Sequence, residues 1–390
     1  MSAGTVKWGA RASGVLALGA SLIVLSACGS DDSSDSDSAA SGAAQTSTAS
    51  AGGDDVAKAK ESVEKFKAEK DFVGPGSGPE GVKGKSITVI ACPLANEGCT
   101  KAAKAVKTAG TLLGWKVNIV DGQGSPQAST AAMKQAIAAK TEGIALVAID
   151  KEMISGALPA AQKAKIPVVS FADNNEPGDG PDNVFAVVNL DADVLGTMIA
   201  TWVVADSEGK ANVAMFNAPE LSTIQQRYDA SKKVIDACTG CKVAVTQNFQ
   251  LATSATQLPL LTANVLTKNP DADYLWNPSG GLGTMQATAV DQSPSKGKVK
   301  TVTFDCVSTN LKQIKSGSSS MAACAGTGEE QSGFAIVDQL NRAFAGEPRA
   351  QDGDTIPSLL IDATNAPEPD VGWPGDKGFV EGYKQIWGIS

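Results

Sequence analysis

Strand-like and helix-like segments alternate along most of the chain, and this alternation limits the fold more than any other feature. From Ser86 onward, apolar runs recur roughly every 25–35 residues with amphipathic segments between most of them, a pattern that predicts right-handed crossovers in parallel sheets. The expected strands are Ile87–Ala91, Val117–Val120, Ile144–Ile149, Val168–Phe171, Val184–Val188, Asn212–Phe216, Val243–Val245, Tyr274–Trp276, Val299–Phe304, Met321–Ala325 and Leu359–Ile361. The expected helices include Asp54–Lys70, Thr100–Leu113, Gln127–Ala139, Ile154–Ala164, Asp193–Ala205, Thr223–Cys238 and Gly333–Ala345.

The number of strands predicts two lobes. About ten strands over some 300 residues are more than one sheet usually carries, so two doubly wound α/β lobes, each with a parallel sheet, are expected. The composition is that of a globular chain, with 42% hydrophobic and 19% charged residues in a length of 390. This length allows two or three domains.

Composition also excludes several functions. The net charge of −9 argues against a nucleic-acid partner, and the aromatic share of 5% argues against a base-stacking surface. The sequence has no histidine, which rules out a Ser-His-Asp triad, a Cys-His dyad and His-ligated zinc. We therefore expect no metal, no cofactor and no enzymatic activity. The remaining enzymatic alternative is a carboxylate pair, Asp173 and Asp305, as in glycosidases.

The first 55 residues have the pattern of an export signal followed by a tether. Lys7 and Arg11 precede an apolar run, Gly14–Leu25, that is too short to span a bilayer comfortably. The following Leu-Ser-Ala-Cys resembles the lipobox of bacterial lipoproteins, which implies cleavage of residues 1–27 and lipidation of Cys28. An ordinary signal peptide with a chance cysteine is the alternative. Residues 28–55 predict a solvated tether, and 56–83 a short helix and linker. The expected location is extracytoplasmic, with the chain held at the cell membrane by lipid alone.

Six further cysteines form three pairs that are local in sequence. An even count in an exported protein suggests disulfides, and although fifteen pairings are possible, the local ones are favoured. A redox pair or half of a zinc site is the alternative for the third and fourth cysteines, which form a CxxC. The six are Cys92, Cys99, Cys238, Cys241, Cys306 and Cys324.

Polar residues follow many of the expected strands. Ligands of open parallel α/β sheets bind beyond the carboxyl ends of the strands, so these segments predict a site for a polar, hydroxyl-bearing ligand. Helix caps and turns prefer the same residues and are the alternative explanation. The segments are Cys92–Cys99, Asp150-Lys151, Ala172–Asn175, Asn217–Ser222, Asn277–Gly281 and Asp305-Cys306.

Six short motifs between Ser86 and Ala363 resemble, in their order and spacing, the periplasmic binding protein type I family, the ribose- and galactose-type sugar receptors of ABC importers. The resemblance implies two Rossmann-like lobes, three hinge crossings and a ligand clamped in the cleft. It places residues 84–189 and 328–352 in the N-terminal lobe, and 190–327 and 353–390, with a tail from Asn365 packed on one lobe, in the C-terminal lobe. The motifs are Leu113-Gly114-Trp115, Asp121–Pro126, Ala164–Ser170, Asn269–Ala272, Leu282-Gly283 and Thr303–Asp305.

The resemblance also implies individual ligand contacts. Asn277 and Asp305 match family residues that bond sugar hydroxyls, and Asn96 matches an asparagine after the first strand. Arg227 lies near the family's ligand arginine, with Gln225 as the alternative in that position.

The sequence departs from the ribose-type site at several positions. Glu97 begins the segment that replaces an aromatic run, Ala172-Asp173 replaces an Asp-Arg pair, and Thr327 stands where the family has glutamine. Phe171, Trp276 or Phe249 is then expected to supply a stacking face. The expected ligand is a sugar, a polyol or another small polar molecule. The full set of candidate ligand residues is Asn96, Glu97, Phe171, Asp173, Asn174, Gln225, Arg227, Trp276, Asn277, Asp305 and Thr327.

Three further expectations concern function. The chain is expected to act as a monomer that delivers its ligand to an ABC permease driven by an ATPase, with a sensor subunit for a membrane kinase as the alternative. A Cys92–Cys99 disulfide is expected to preorganise the ligand-facing loop. Glu329-Glu330 is expected to be a solvated helix start.

Overall fold

The computed structural model of the protein describes residues 51–154, 156–351 and 355–390. The expected signal peptide, the lipidation site Cys28 and most of the expected tether lie outside these residues. The helices are α1 (Ala51–Phe66), α2 (Glu97–Leu112), α3 (Pro126–Ala138), α4 (Leu158–Lys163), α5 (Ala192–Asp206), α6 (Ser222–Ala237), α7 (Ser254–Lys268), α8 (Gly280–Asp291), α9 (Ser308–Ser316), α10 (Glu329–Ala345) and α11 (Phe379–Ile386).

The strands form two sheets of six, which confirms the predicted division into two α/β lobes. The first sheet has the order β11-β5-β4-β3-β1-β2 with all pairs parallel, and the second has the order β12-β10-β9-β8-β6-β7 with only β12 antiparallel. We call the α/β units built on them the first lobe and the second lobe. The strands are β1 (Ser86–Ala91), β2 (Lys116–Asp121), β3 (Gly143–Val147), β4 (Val168–Phe171), β5 (Ala186–Leu190), β6 (Asn212–Asn217), β7 (Lys242–Asn248), β8 (Tyr274–Trp276), β9 (Lys300–Phe304), β10 (Met321–Thr327), β11 (Thr355–Ile356) and β12 (Ser358–Asp362).

Both sheets are buried on both faces, which explains their continuous apolar strands. In β1, Val89 belongs to the core under α2 and α10, whereas the next residue, Ile90, belongs to the core under α3 and α4. Met215 and Phe216 divide in the same way between the two faces of the second sheet. Successive strand residues point to opposite faces, so a strand covered by helices on both sides must be apolar at every position.

Three segments connect the lobes, as the family resemblance implied. The chain crosses at Asp191 between β5 and α5, at Gly328 between β10 and α10, and at Pro357 between β11 and β12. The Gly328 amide donates to the Pro357 carbonyl over 3.1 Å, so two of the crossings lie side by side.

Segments at both ends of the described chain contact both lobes. Helix α1 packs Ala59 and Val63 into the second-lobe core, and Phe72 then packs against Tyr383 of α11 at a tilt of 46°, with ring centroids 4.9 Å apart. Helix α11 itself lies in the first-lobe core against Phe334 of α10. The expectation that residues 353–390 lie with the second lobe is therefore not met for α11, whose aromatic face is covered by α10. None of the helices in the described ranges is both long and apolar enough to cross a membrane.

Candidate functional site

The carboxyl ends of the two sheets meet at a cleft between the lobes. Two pairs of side chains bond directly across it: Glu97 of the first lobe with Ser308 of the second, and Asp150 of the first with Ser222 of the second. All four residues lie in segments that directly follow strand ends. The cleft therefore brings together the strand-end segments that the sequence proposed as a ligand site.

On the second-lobe side, the buried Arg227 forms an ion pair with the partly buried Asp305. The Arg227 Nη1 lies 3.0 Å from the Asp305 Oδ1 and donates to the Pro278 carbonyl over 2.9 Å. The guanidinium lies 4.8 Å from the ring centroid of Phe304, and its Nε is buried without a hydrogen-bond partner. Asp305 follows β9 at a φ of 63°, and its Oδ2 accepts from the amide of Gly280 over 3.1 Å. The pair thus fixes a charged, donor-bearing group at the strand ends.

Glu329 is a second carboxyl group of this region, and the prediction of a solvated helix start is wrong for it. It begins α10 just after the Gly328 crossing and is buried, whereas Glu330 is exposed. Burial, and then the negative charge of Asp305, raise the pKa of Glu329 well above its usual value. A carboxyl group kept neutral in this way can donate a hydrogen bond as well as accept one.

On the first-lobe side, Asp173 presents a buried oxygen. Its Oδ1 accepts from the Ser170 hydroxyl and the Asn175 amide, each over 3.0 Å, but its Oδ2 has no partner. Burial raises the pKa of Asp173 to about 7, and the nearby charge of Asp150 adds to the effect. The side chain of the neighbouring Asn174 accepts from the Lys151 amide and donates to Glu152. These hydrogen bonds hold the loop in place.

The loop after β1 is closed by the Cys92–Cys99 disulfide, one of three local disulfides that the structure forms together with Cys238–Cys241 and Cys306–Cys324. Asn96 caps α2 by accepting from the Gly98 amide over 3.0 Å. Burial favours a higher pKa for Glu97, but hydrogen bonds from Ser308 and the ion pair with Lys101 outweigh it and lower the pKa.

The three rings expected to stack on a ligand are all part of lobe cores. Trp276 donates to the Ser231 hydroxyl over 3.0 Å and packs edge-on against Tyr228 and Phe304. Phe171 belongs to the first-lobe core and Phe249 to the second. The stacking role expected for these rings is not supported, because a parallel strand buries its apolar residues on both faces.

Two of the expected polar contacts also have partners within the protein. Asn277 is fully buried, donates to Gln286 and accepts from the Ser279 amide over 3.0 Å. Gln225 accepts from Asn217 and donates to Asp229, each over 2.9 Å. Of the two candidates on α6, it is thus Arg227 that reaches Asp305.

Six buried polar atoms without a hydrogen-bond partner lie on the last residue of a strand, in the segment that follows a strand, or on α6. Such atoms are rare in folded proteins unless a ligand or water satisfies them. Asn175, Asn217 and Ser279 stood in the strand-end segments of the sequence, but nothing in the sequence distinguished them from their neighbours. The atoms are Asp173 Oδ2, Asn175 Oδ1, Asn217 Oδ1, Arg227 Nε, Ser279 Oγ and Thr327 Oγ1. No cluster of three or more Cys, Asp or Glu side chains within residues 51–154, 156–351 and 355–390 is arranged to hold a metal ion.

Comparison with known proteins agrees with this architecture. A family model described as a periplasmic binding protein domain matches residues 87–348. No curated protein sequence matches the chain significantly.

Solved structures share the fold at low sequence identity. An ABC sugar transporter subunit from Rhodobacter sphaeroides 2.4.1 is 20% identical with a TM-score of 0.63, covering 73% of this chain and 99% of its own. GanP, a glucose-galactose binding protein from Geobacillus stearothermophilus, is 19% identical with a TM-score of 0.64, covering 73% and 99%. A Caulobacter myo-inositol binding protein bound to myo-inositol is 19% identical with a TM-score of 0.64, covering 74% and 96%.

Proposed function

Because the chain belongs to the periplasmic binding protein family, whose model matches residues 87–348, we propose that it binds a sugar or a similar small polar solute in the cleft between its lobes. The observation that carries the proposal is the set of six buried, unpartnered polar atoms at the strand ends and on α6. A bound solute that satisfies them removes the cost of leaving them unpaired.

The chemistry of these atoms matches hydroxyl groups. The carboxylate oxygen of Asp173 and the amide oxygens of Asn175 and Asn217 require donors, whereas the Arg227 Nε–H requires an acceptor. A sugar or polyol hydroxyl donates and accepts at once, so one class of ligand serves both needs. The solved relatives named for glucose-galactose and myo-inositol binding support the same class.

A thermal-shift and calorimetry panel of D-glucose, D-galactose and myo-inositol tests the proposal. A ligand present at a thousand times its Kd adds about 4 kcal/mol to the free energy of unfolding, so binding by any member raises the Tm measurably. No response to these three or to a wider set of small polar solutes refutes it.

A pair of isosteric variants locates the site. Thr327→Val removes a buried, unpartnered hydroxyl at the end of β10, and we expect it to weaken binding by roughly fivefold or more. Thr303→Val is the matched control, because Thr303 is also buried and unpartnered but its side chain faces Gly283 of α8 inside the second lobe. Equal effects of the two variants on ligand affinity contradict the assignment.

We also propose that the protein acts outside the cytoplasm, anchored through lipid on Cys28, as a monomer that delivers its ligand to an ABC permease and its ATPase. Cys28→Ser is expected to move the protein from the membrane fraction to the medium. In a strain that lacks the gene for this protein, loss of ligand uptake supports delivery to a permease. Intact uptake with a lost transcriptional response supports the alternative of a sensor for a membrane kinase.

A further inference from the structure

Two helices of the second lobe begin after residues that cannot cap them. The N-cap positions of α6 and α9 are Leu221 and Val307, both extended, with φ of −109° and −62°. Neither side chain can accept a hydrogen bond, whereas the first-turn amides of a helix usually receive one from Ser, Thr, Asp or Asn. Asn310 accepts from the amide of Val307 itself over 3.2 Å, which leaves the first-turn amides of α9 unassisted.

The first lobe supplies the missing acceptors. Glu97 Oε1 accepts from the Ser308 amide over 2.9 Å and from its hydroxyl over 2.8 Å. Asp150 Oδ2 accepts from the Ser222 amide over 3.1 Å, and its Oδ1 accepts from the Ser222 hydroxyl over 2.8 Å. Ser308 and Ser222 are the first residues of α9 and α6. Both helices are therefore capped from the opposite lobe.

Each acceptor is held in place by its own lobe. Lys101 Nζ lies 3.1 Å from the Glu97 Oε1, and the Asn174 amide donates to the Asp150 Oδ1 over 3.0 Å. Asp150 is buried in this closed arrangement, so little water competes with Ser222 for its carboxylate here. A carboxylate at a helix N terminus also gains from the positive end of the helix dipole. Separating the lobes removes both benefits at both helices.

We propose that Glu97 and Asp150 are positioning residues that hold the lobes closed by capping α9 and α6 across the cleft. They act on ligand affinity by setting the population of the closed arrangement rather than by contacting the ligand. This proposal rests on the proposed binding function in one respect, namely that the lobes close when the ligand binds. Leu221 and Val307 contribute as well, because they leave the first-turn amides of α6 and α9 without an acceptor from their own lobe. A helix capped by its own N-cap side chain would gain less from closure.

The lobe arrangement can be followed without knowing the ligand. Lys140 on the first lobe and Lys268 on the second are exposed, so Lys140→Cys and Lys268→Cys, made in Cys28→Ser protein, are sites for a fluorescent donor and acceptor. The six other cysteines are in disulfides and do not react with the label. In the ligand-free labelled protein, Glu97→Gln and Asp150→Asn are each expected to lower the closed-to-open ratio about three- to thirtyfold, the range that loss of a helix cap covers.

Glu142→Gln is the matched control. Glu142 also accepts from a backbone amide, that of Ser86 over 2.9 Å, and pairs with Lys85 over 2.9 Å, but all three residues lie in the first lobe. It is expected to leave the closed-to-open ratio unchanged. A shift by Glu142→Gln as large as that of Glu97→Gln, or no shift by either cross-lobe variant, overturns the proposal.

The partner serines provide a second measurement on the other lobe. Ser308→Ala and Ser222→Ala remove a hydroxyl from each cap, and each is expected to open the lobes in the same direction. In a double-mutant cycle, Glu97→Gln with Ser308→Ala is expected to be non-additive, because the two changes break one contact. Additive effects refute a shared contact.

Titration of the same variants with D-galactose and myo-inositol separates this proposal from the binding function. If neither solute binds, the proposed function fails for these probes while the ligand-free measurement still decides the closure proposal. If one binds, Asp150→Asn is expected to raise its Kd by the same factor by which it lowers the fraction of ligand-free protein that is closed. A raised Kd with an unchanged ratio contradicts the closure role.

Discussion

Asp173 is predicted to make the stability of the folded chain depend on pH near neutrality. Burial raises the pKa of its carboxyl from 3.8 to about 7, against hydrogen bonds from Asn175 and Ser170 that act in the opposite direction. Between these two pH values the folded protein binds a proton that the unfolded chain does not. The stability contributed in this way is fully present below pH 3.8 and is lost as pH rises through about 7.

The size of the effect follows from the two pKa values. One pKa unit equals about 1.4 kcal/mol, so the difference between the folded and unfolded values corresponds to roughly 4 kcal/mol in total. Most of this change lies at accessible pH, with about 2.5 kcal/mol of it between pH 5 and pH 8. The Oδ2 atom of Asp173 is buried but the residue as a whole is only partly buried, so solvent screening makes these figures upper values.

Urea unfolding of the wild-type protein and of Asp173→Asn, repeated from pH 5 to pH 8, measures the effect. Asparagine keeps the shape and an acceptor oxygen for Ser170 and Asn175 but cannot ionise. Other titrating groups contribute equally to both proteins, so the difference in unfolding free energy isolates Asp173. We expect the wild type to lose up to about 2.5 kcal/mol relative to the variant over this range. A difference that is constant with pH refutes the reasoning.

Three further predictions concern the cleft loop, a buried ring and the tail. Cys92→Ser/Cys99→Ser is expected to weaken ligand binding three- to tenfold or so in a folded protein, because the open loop must order on binding; unchanged affinity by calorimetry contradicts this. Trp276→Phe leaves a cavity in the second-lobe core and loses the bond to Ser231, so we expect roughly 2–4 kcal/mol less stability in urea and an affinity within about twofold; a large loss of affinity indicates that the ring contacts the ligand. Deletion of residues 379–390 uncovers the first-lobe core and is expected to cost more than about 3 kcal/mol, so an unchanged Tm argues against the packing of α11.

Much of the fold was predictable because buried parallel strands leave a strong sequence signal. The expected strands Val168–Phe171 and Tyr274–Trp276 coincide with β4 and β8 residue for residue. Strand β11 is only two residues long and exists through its pairing with β5, so its local sequence carried no signal. Helix α7 contains Pro259, which obscures its helical pattern.

The candidate site was predictable in position but not in orientation. The strand-end segments mark the correct edge of each sheet. However, the Asn277 side chain is hydrogen-bonded to Gln286, whereas Asp173 has a buried oxygen without a hydrogen-bond partner in the protein. The direction of a side chain depends on neighbours that are distant in sequence, and one sequence does not reveal them. Glu329 shows the same limit, because its burial results from the crossing at Gly328 and not from any local pattern.

The segments at the two ends of the described chain bear on how far the lobes can separate. On the second lobe, Lys67 pairs with Asp362 over 2.7 Å, and a few residues later Phe72 is fixed to the first lobe through α11. The tail also joins the lobes, since it leaves β12 and bonds the amide of Gln331 at the start of α10 over 3.1 Å. Rotation of the lobes must therefore deform these two connections as well as the three crossings. Because short connections keep the lobes near one another, a few cross-lobe hydrogen bonds are enough to shift the balance between open and closed arrangements.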